Sequence, residues 1–344
     1  MIVEPDVVTS SVRNVSFLDS SQKVELVDNG RDLKAGDVVA VEIVEKGGSY
    51  GSAEVKGAEM VDLGIGDIVV GVLGRRKATR GFSAEIPYKL EEGEELDFVS
   101  SGGVFAKCLS YPEDIGRPYR CKFLGFVSKD GRRINISEYS LDPAETIDIN
   151  CPLVMVASSR MDAGKTTVCK GLITKFVEQG KTVGAVKLTG VTRERDTHGM
   201  KKAGAKKAYE FTDCGLPSST CEPDIAIRAS KGLINEAGDG VDVVVAELGA
   251  GLLSSYNVLE VLKDKDVKKA CTSLVFMAMD PVGAYGGLRI LEDHGYSPDV
   301  ISGPATDTEA GRENIRRFTD IPVKNAIKNI DGIFETVKNR CFNQ

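Results

Sequence analysis

The segment Ser158-Ser-Arg-Met-Asp-Ala-Gly-Lys-Thr-Thr167 constrains the fold more than any other part of the chain. Before it runs Pro152-Leu-Val-Met-Val-Ala-Ser158, a continuous apolar stretch of the kind that forms a strand buried on both faces. After it, Gly164–Glu178 carries Val168, Leu172, Ile173, Phe176 and Val177 at helical spacing, and Gly180 ends the stripe. A strand, a short loop and a helix in that order bring unshielded backbone N–H groups and a helix N-terminus to one point, and Lys165 adds a positive charge. Those three features are what a phosphate group needs. Lys165 is expected to neutralise the β- and γ-phosphates, and the Thr166 hydroxyl to ligate Mg²⁺. Thr167 is the candidate contact to the α-phosphate. Ser158, Ser159, Met161, Asp162, Ala163 and Gly164 supply the rest of the cradle, with Ser159 where the strict GxxxxGK[ST] pattern has its first Gly.

The elements that follow alternate. Strands are expected at Thr182–Leu188, Val241–Glu247, Thr272–Ala278 and Asp299–Ile301, with helices near Ile225–Glu236, Asn257–Lys263 and Val282–Asp293. That alternation predicts an α/β fold: a phosphate-loop nucleotide-binding type of parallel sheet with helices on both faces. Ligands of such sheets gather at the C-terminal ends of the strands. Glu247 ends one strand and is the candidate acid for Mg²⁺, against the plainer reading of a solvated strand-end acid; Gly249 and Gly251 follow it. Lys187 ends another, followed by Thr189-Gly190, and is expected to meet an anionic substrate, the γ-phosphate, or both. Asp196 is the second candidate metal ligand, and His198 reads as a structural loop or capping residue. Asp280-Pro-Val-Gly-Ala-Tyr-Gly-Gly287 fits either a crevice lining or close helix-on-sheet packing, and Ser302–Asp307 stands where a base would be held.

Residues 1–148 read differently. Val38–Val44, Glu54–Val61, Asp67–Leu73 and Lys122–Val127 are short apolar or alternating runs separated by Gly and Asp, which predicts a smaller β-rich barrel or sandwich. One helix is expected at Val104–Ser110. The expected organisation is therefore 1–148, a β-rich domain; 149–329, the nucleotide-binding domain; and 330–344, a tail or helix. The 344 residues carry 44 basic against 51 acidic side chains, which argues against a nucleic-acid partner. No apolar run reaches membrane-spanning length and no leader pattern opens the chain, so a cytoplasmic location without membrane contact is expected. The eight cysteines match no zinc or iron–sulfur spacing and are expected to be mostly buried thiols, with Cys214 and Cys221 the pair to watch for a soft metal or redox role.

Ser158–Thr166, Lys187-x-Thr-Gly190, Asp196 and Glu247-x-Gly-Ala-Gly251, in that order, resemble the dethiobiotin synthetases. The same block, roughly 151–325, is similar to the phosphate-loop protein of molybdopterin guanine dinucleotide synthesis and to the C-terminal domain of D-glutamate N-acetyltransferase-like proteins. The resemblance implies Lys165 and Thr166 on phosphate and Mg²⁺, Asp196 and Glu247 as acidic metal partners, and Lys187 toward substrate. Lys187 is followed by Leu188 where the synthetases have Pro, and Leu248 stands in place of a Gly. Arg160 lies where some dimeric relatives carry a lysine that reaches the partner subunit's nucleotide, which implies a homodimer and a charge-stabilising role for Arg160. The expected activity is ATP-dependent phosphoryl transfer, kinase or ligase, on a small anionic metabolite, with Lys165, Lys187 and Arg160 as the catalytic cations; GTP is the other candidate nucleotide. The alternatives are a nucleotide-driven accessory protein in cofactor or metal assembly, or acyl transfer on the same scaffold.

Overall fold

A computed structural model describes residues 1–19, 21–27 and 32–342. The chain divides into two compact units. The first comprises Met1–Leu141 together with Val191–Arg195 and Phe211–Cys221; the second comprises Asp142–Gly190, Asp196–Glu210 and Glu222–Gln344.

The first unit is a barrel. Strand Tyr119–Lys129 pairs with Val38–Glu45, that strand with Ile68–Leu73, that with Val104–Ser110, that with Glu95–Ser100, and Glu95–Ser100 returns to Tyr119–Lys129. The ring closes, so none of these five strands presents a bare edge. The long strand serves two neighbours on one side because it bends: its register shifts between Phe123 and Gly125, and Gly125 sits at φ +154°, open to glycine. Alternation along each strand then sorts the side chains. Val39, Val41, Ile43, Phe98, Phe105 and Phe123 fill one core, while Val38, Ala40, Val72 and Val104 fill another on the outside of the same strands.

Two local expectations are overturned here. Val104–Ser110 is a strand, not a helix. Gly102-Gly103 forms the turn of a hairpin, with Gly103 at φ +92° donating its N–H to the Ser100 carbonyl, and Phe98 then pairs with Phe105. Glu54–Val61 is not one strand but the hairpin Ser52–Val55 and Glu59–Asp62, which reverses where Gly57 and Ala58 both take positive φ.

The second unit is a six-stranded, wholly parallel sheet. Numbering within it, β1 is Leu153–Ser158, β2 Val183–Thr189, β3 Lys207–Glu210, β4 Val243–Leu248, β5 Cys271–Met277 and β6 Val300–Ser302. Their order across the sheet is 3-2-4-1-5-6. The helices are α1 Lys165–Glu178, α2 Arg195–Lys202, α3 Pro223–Gly238, α4 Val258–Lys263, α5 Lys265–Ala270, α6 Pro281–Asp293, α7 Glu309–Arg316 and α8 Ile330–Phe342. Val154, Val156, Ala185, Val245 and Val275 on one face pack against Val168, Leu172 and Phe176 of α1 and Ile333, Phe334 and Val337 of α8. The other face meets α3, pressed so close that a Cβ on Gly184 would lie 2.1 Å from the Ala237 carbonyl oxygen. It also meets α6, where Gly287 seats on the Phe276 ring. The Gly-rich start of α6 is thus helix-on-sheet packing at Gly287.

Two short elements went unexpected: residues 195–202 form α2, and Lys207–Glu210 form β3. His198 lies inside α2 rather than in a loop. Segment Val191–Arg195 is held within the first unit, where the buried Glu54 carboxylate accepts the backbone N–H groups of Glu194 and Arg195 at 2.5 and 3.0 Å. Glu54 in turn accepts the Ser10 hydroxyl at 2.6 Å. Among the described residues no helix is long and apolar enough to cross a membrane.

Candidate functional site

Ser158 ends β1 at the centre of the sheet, and the chain turns through Ser159–Ala163 into α1. Two residues of this turn are left-handed, Asp162 at φ +60° and Gly164 at φ +88°, and Gly164 is the N-cap with no side chain capping the helix. Left-handed residues flanking Ala163 curl successive backbone N–H groups inward, the concave arrangement that holds an anion. The first-turn N–H groups of α1 stay uncapped by side chains.

Lys165 is 5% exposed. Its ammonium donates to the Ser158 hydroxyl and to the Ala250 carbonyl, both at 2.7 Å, and reaches the Arg160 carbonyl at 3.5 Å. Burial pulls its pKa below the ordinary lysine value; Glu247 opposes that shift and Lys187 adds to it. The loop after β4 delivers Ala250 by two devices. Ala250 is itself left-handed, at φ +67°, and Gly251 lies flat against the phosphate loop. A Cβ on Gly251 would fall 2.5 Å from Arg160 Cα and 2.6 Å from the Ser159 oxygen. Gly251→Ala is therefore expected to cost about 1–3 kcal/mol through overpacking of backbone on backbone. Denaturant unfolding checks this, with Gly286→Ala as the control, since a Cβ there meets nothing within 4 Å.

The Thr166 hydroxyl donates to the Glu247 carboxylate at 2.9 Å. Glu247 is 3% exposed, so it is a buried strand-end acid and not a solvated one. Burial raises its pKa and Asp196 raises it further, against the pull of Lys187, Lys165 and the Thr166 hydrogen bond. Lys187, also 5% exposed, bonds Asp196 at 2.5 Å. Burial alone would lower the Lys187 pKa; Asp196, Glu210 and Glu247 outweigh it and leave it raised. The structure thus gathers Ser158, Lys165, Thr166, Lys187, Asp196 and Glu247 into one network at the C-terminal ends of β1, β2 and β4. It places Asp196, in the first turn of α2, as the ion-pair partner of Lys187. Arg160 joins that network only through its backbone: its carbonyl accepts from the Ser158 hydroxyl at 2.7 Å and from Lys165, while the residue is exposed.

Glu210, fully buried at the end of β3, is the group the sequence reading missed. The signal was present, since it stands at a strand end as Lys187 and Glu247 do, but the short strand itself had gone unseen.

Beside the phosphate loop lies a cavity of about 230 Å³, lined from one side by Asp162, Gly164 and Thr167 and from the other by Gly303, Asp307 and Asn325. That is below the roughly 300–1,000 Å³ of whole-ligand sites and suits one part of a ligand. Asn325 is fixed there, donating to Asp307 at 2.8 Å and to Thr306 at 3.2 Å and accepting the Ile327 and Lys328 N–H groups. Ser159 does not line this cavity; its hydroxyl accepts the Met279 N–H at 3.2 Å. Met161 lines neither cavity nor network.

The donor set at Thr166 and Glu247 fits Mg²⁺, being one hydroxyl and one carboxylate, both hard oxygens. Among the described residues no three His, Cys, Asp or Glu side chains cluster closely enough to hold a metal unaided. Of the eight cysteines, Cys121, Cys169 and Cys214 are buried and the other five are half-buried, so most are not the buried thiols expected.

No family model matches the chain, and no curated protein matches it. Among solved structures it is similar to a DUF1611 family protein from Anabaena variabilis, at 17% identity over 58% of this chain and 62% of that one, with a TM-score of 0.41. It is also similar to the signal recognition particle receptor FtsY from Elizabethkingia anophelis, at 13% identity over 57% of this chain and 67% of that one, TM-score 0.37. The cell division protein FtsY from Thermotoga maritima gives 19% identity over 53% and 63%, TM-score 0.35. The chain thus spans 62% of the DUF1611 protein's length.

Proposed function

We propose that this protein binds a Mg²⁺–purine nucleotide at the loop Ser158–Thr167 and transfers its terminal phosphoryl group to a small anionic metabolite, with ATP as the nucleotide. The observation that carries the reading is the Thr166–Glu247 hydrogen bond beside the buried ammonium of Lys165. A hydroxyl from the helix start and an acid from the neighbouring strand end converge next to a phosphate cradle, as a nucleotide-bound Mg²⁺ requires. Thr166 and Glu247 would hold that ion, which supplies charge neutralisation of the phosphates. Lys165 then binds the β- and γ-phosphates, and Lys187, held by Asp196, faces the incoming substrate with a fixed positive charge. Such chemistry runs on positioning and electrostatics and needs no covalent nucleophile. In this reading the base occupies the cavity at Asp307 and Asn325. The exposed Arg160 reaches the nucleotide of a second copy in a homodimer.

Calorimetric titration of ATP and GTP, each with Mg²⁺ and with EDTA, tests the assignment. Micromolar, Mg²⁺-dependent binding of ATP is expected; no binding of either nucleotide would overturn the reading. Ala326 also lines the cavity, and Ala326→Phe, which fills it, is expected to weaken ATP at least tenfold (~1.4 kcal/mol) while leaving inorganic triphosphate binding in place.

A further inference from the structure

The barrel unit contains a second concentration of positive charge. Arg76 is 4% exposed, and among the described residues no carboxylate pairs with it. Its guanidinium donates to the Val99 carbonyl and, at 3.3 Å, to the Tyr50 hydroxyl. It lies 5.1 Å from the centroid of the Tyr50 ring and 5.6 Å from that of Phe82, and its buried Nε has no hydrogen-bond partner. Gly81, at φ +149°, leaves the room: a Cβ there would come 2.9 Å from the guanidinium. A second guanidinium, that of the half-buried Arg193, stands 5.7 Å from the same Tyr50 ring. Two cations therefore converge on one phenol.

Ring faces and a carbonyl compensate a buried guanidinium only in part. The planar donor fork of arginine matches the oxygens of a carboxylate or phosphate, and a donor left over in a buried place is the group such an oxygen would satisfy. We propose that Arg76, Arg193 and the Tyr50 hydroxyl form a binding site for the oxyanion group of a small molecule, a carboxylate or a phosphate. None of the three belongs to the phosphate loop, so the proposal is independent of nucleotide binding there.

The test uses the full chain carrying Lys165→Ala, which silences the phosphate loop as a competing anion site, titrated with succinate and with inorganic phosphate at constant ionic strength. Saturable binding of at least one probe is expected, weakened at least tenfold by Arg193→Gln and severalfold by Tyr50→Phe. Succinate binding identifies a carboxylate ligand and phosphate binding a phosphorylated one. Arg76→Gln is expected to act as Arg193→Gln does; because its side chain is buried, the half-exposed Arg193 carries the decision if that variant unfolds. Failure of both probes to saturate, or saturation that Arg193→Gln and Tyr50→Phe leave unchanged, would overturn the proposal.

Discussion

Lys165→Ala is expected to weaken Mg²⁺–nucleotide binding roughly hundredfold, about 2.7 kcal/mol, without lowering the melting temperature. The two halves of that expectation come from the same observation. Lys165 is buried among carbonyl and hydroxyl oxygens, and burial already pulls its pKa down, so folding gains little from the charge. If the proposed function holds, a triphosphate gains a great deal from it, because the charge is fixed and dehydrated at the site assigned to the anion. A residue kept for binding at the expense of stability should show lost affinity beside an unchanged or raised melting point. Lys165→Arg is not expected to rescue, since the ammonium fits between Ser158 and Ala250 at 2.7 Å on each side and a planar guanidinium does not. Calorimetry paired with thermal unfolding checks both. Unchanged affinity, or lost affinity that accompanies a collapse in melting temperature, defeats the assignment.

The parts of this site that the sequence disclosed are those built locally or by simple periodicity. The loop Ser158–Thr167 joins a strand to a helix within a few residues, and both flanks carry clear apolar patterns. Lys187 and Glu247 were legible because each ends a buried run. Helix α2 was not: its eight residues, Arg195–Lys202, bury only Thr197 and Met200. Two buried positions make no legible apolar stripe, and Asp196 meets Lys187 only through the fold, so the fixed place of Asp196 was hidden. Barrel closure was hidden for the same reason, since it depends on Glu95–Ser100 meeting both Val104–Ser110 and Tyr119–Lys129. The error at Val104–Ser110 was of another kind. Gly102-Gly103 is a hairpin signal, and the β-branched and aromatic Val104-Phe105 that follow favour the strand. Segments 191–195 and 211–221 follow β2 and β3 in the chain yet belong to the barrel unit, an exchange that no composition shift marks.

Lys187 sets the second large effect, and there the sign for stability is the reverse of Lys165. Its ammonium pairs with Asp196 and lies in the field of Glu210 and Glu247, and those three carboxylates hold its own pKa up despite burial. Lys187→Met keeps the length of the side chain and removes the positive charge that faces these acids. Breaking a buried pair in this way costs about 3–5 kcal/mol, which for a unit of this size lowers the melting temperature by roughly 10 °C. Asp196→Asn in the same chain removes one of the stranded charges. The double variant is therefore expected to be more stable than Lys187→Met alone, with a coupling of about 1–3 kcal/mol between the two positions. Denaturant unfolding of wild type, both single variants and the double variant gives that coupling directly. Additive effects would mean that the 2.5 Å contact contributes nothing of its own, and Lys187 would lose its standing as the fixed charge of the site. A clear coupling would leave Lys187 anchored by Asp196, and anchoring is what a cation needs if it is to meet an anionic substrate without first reorganising.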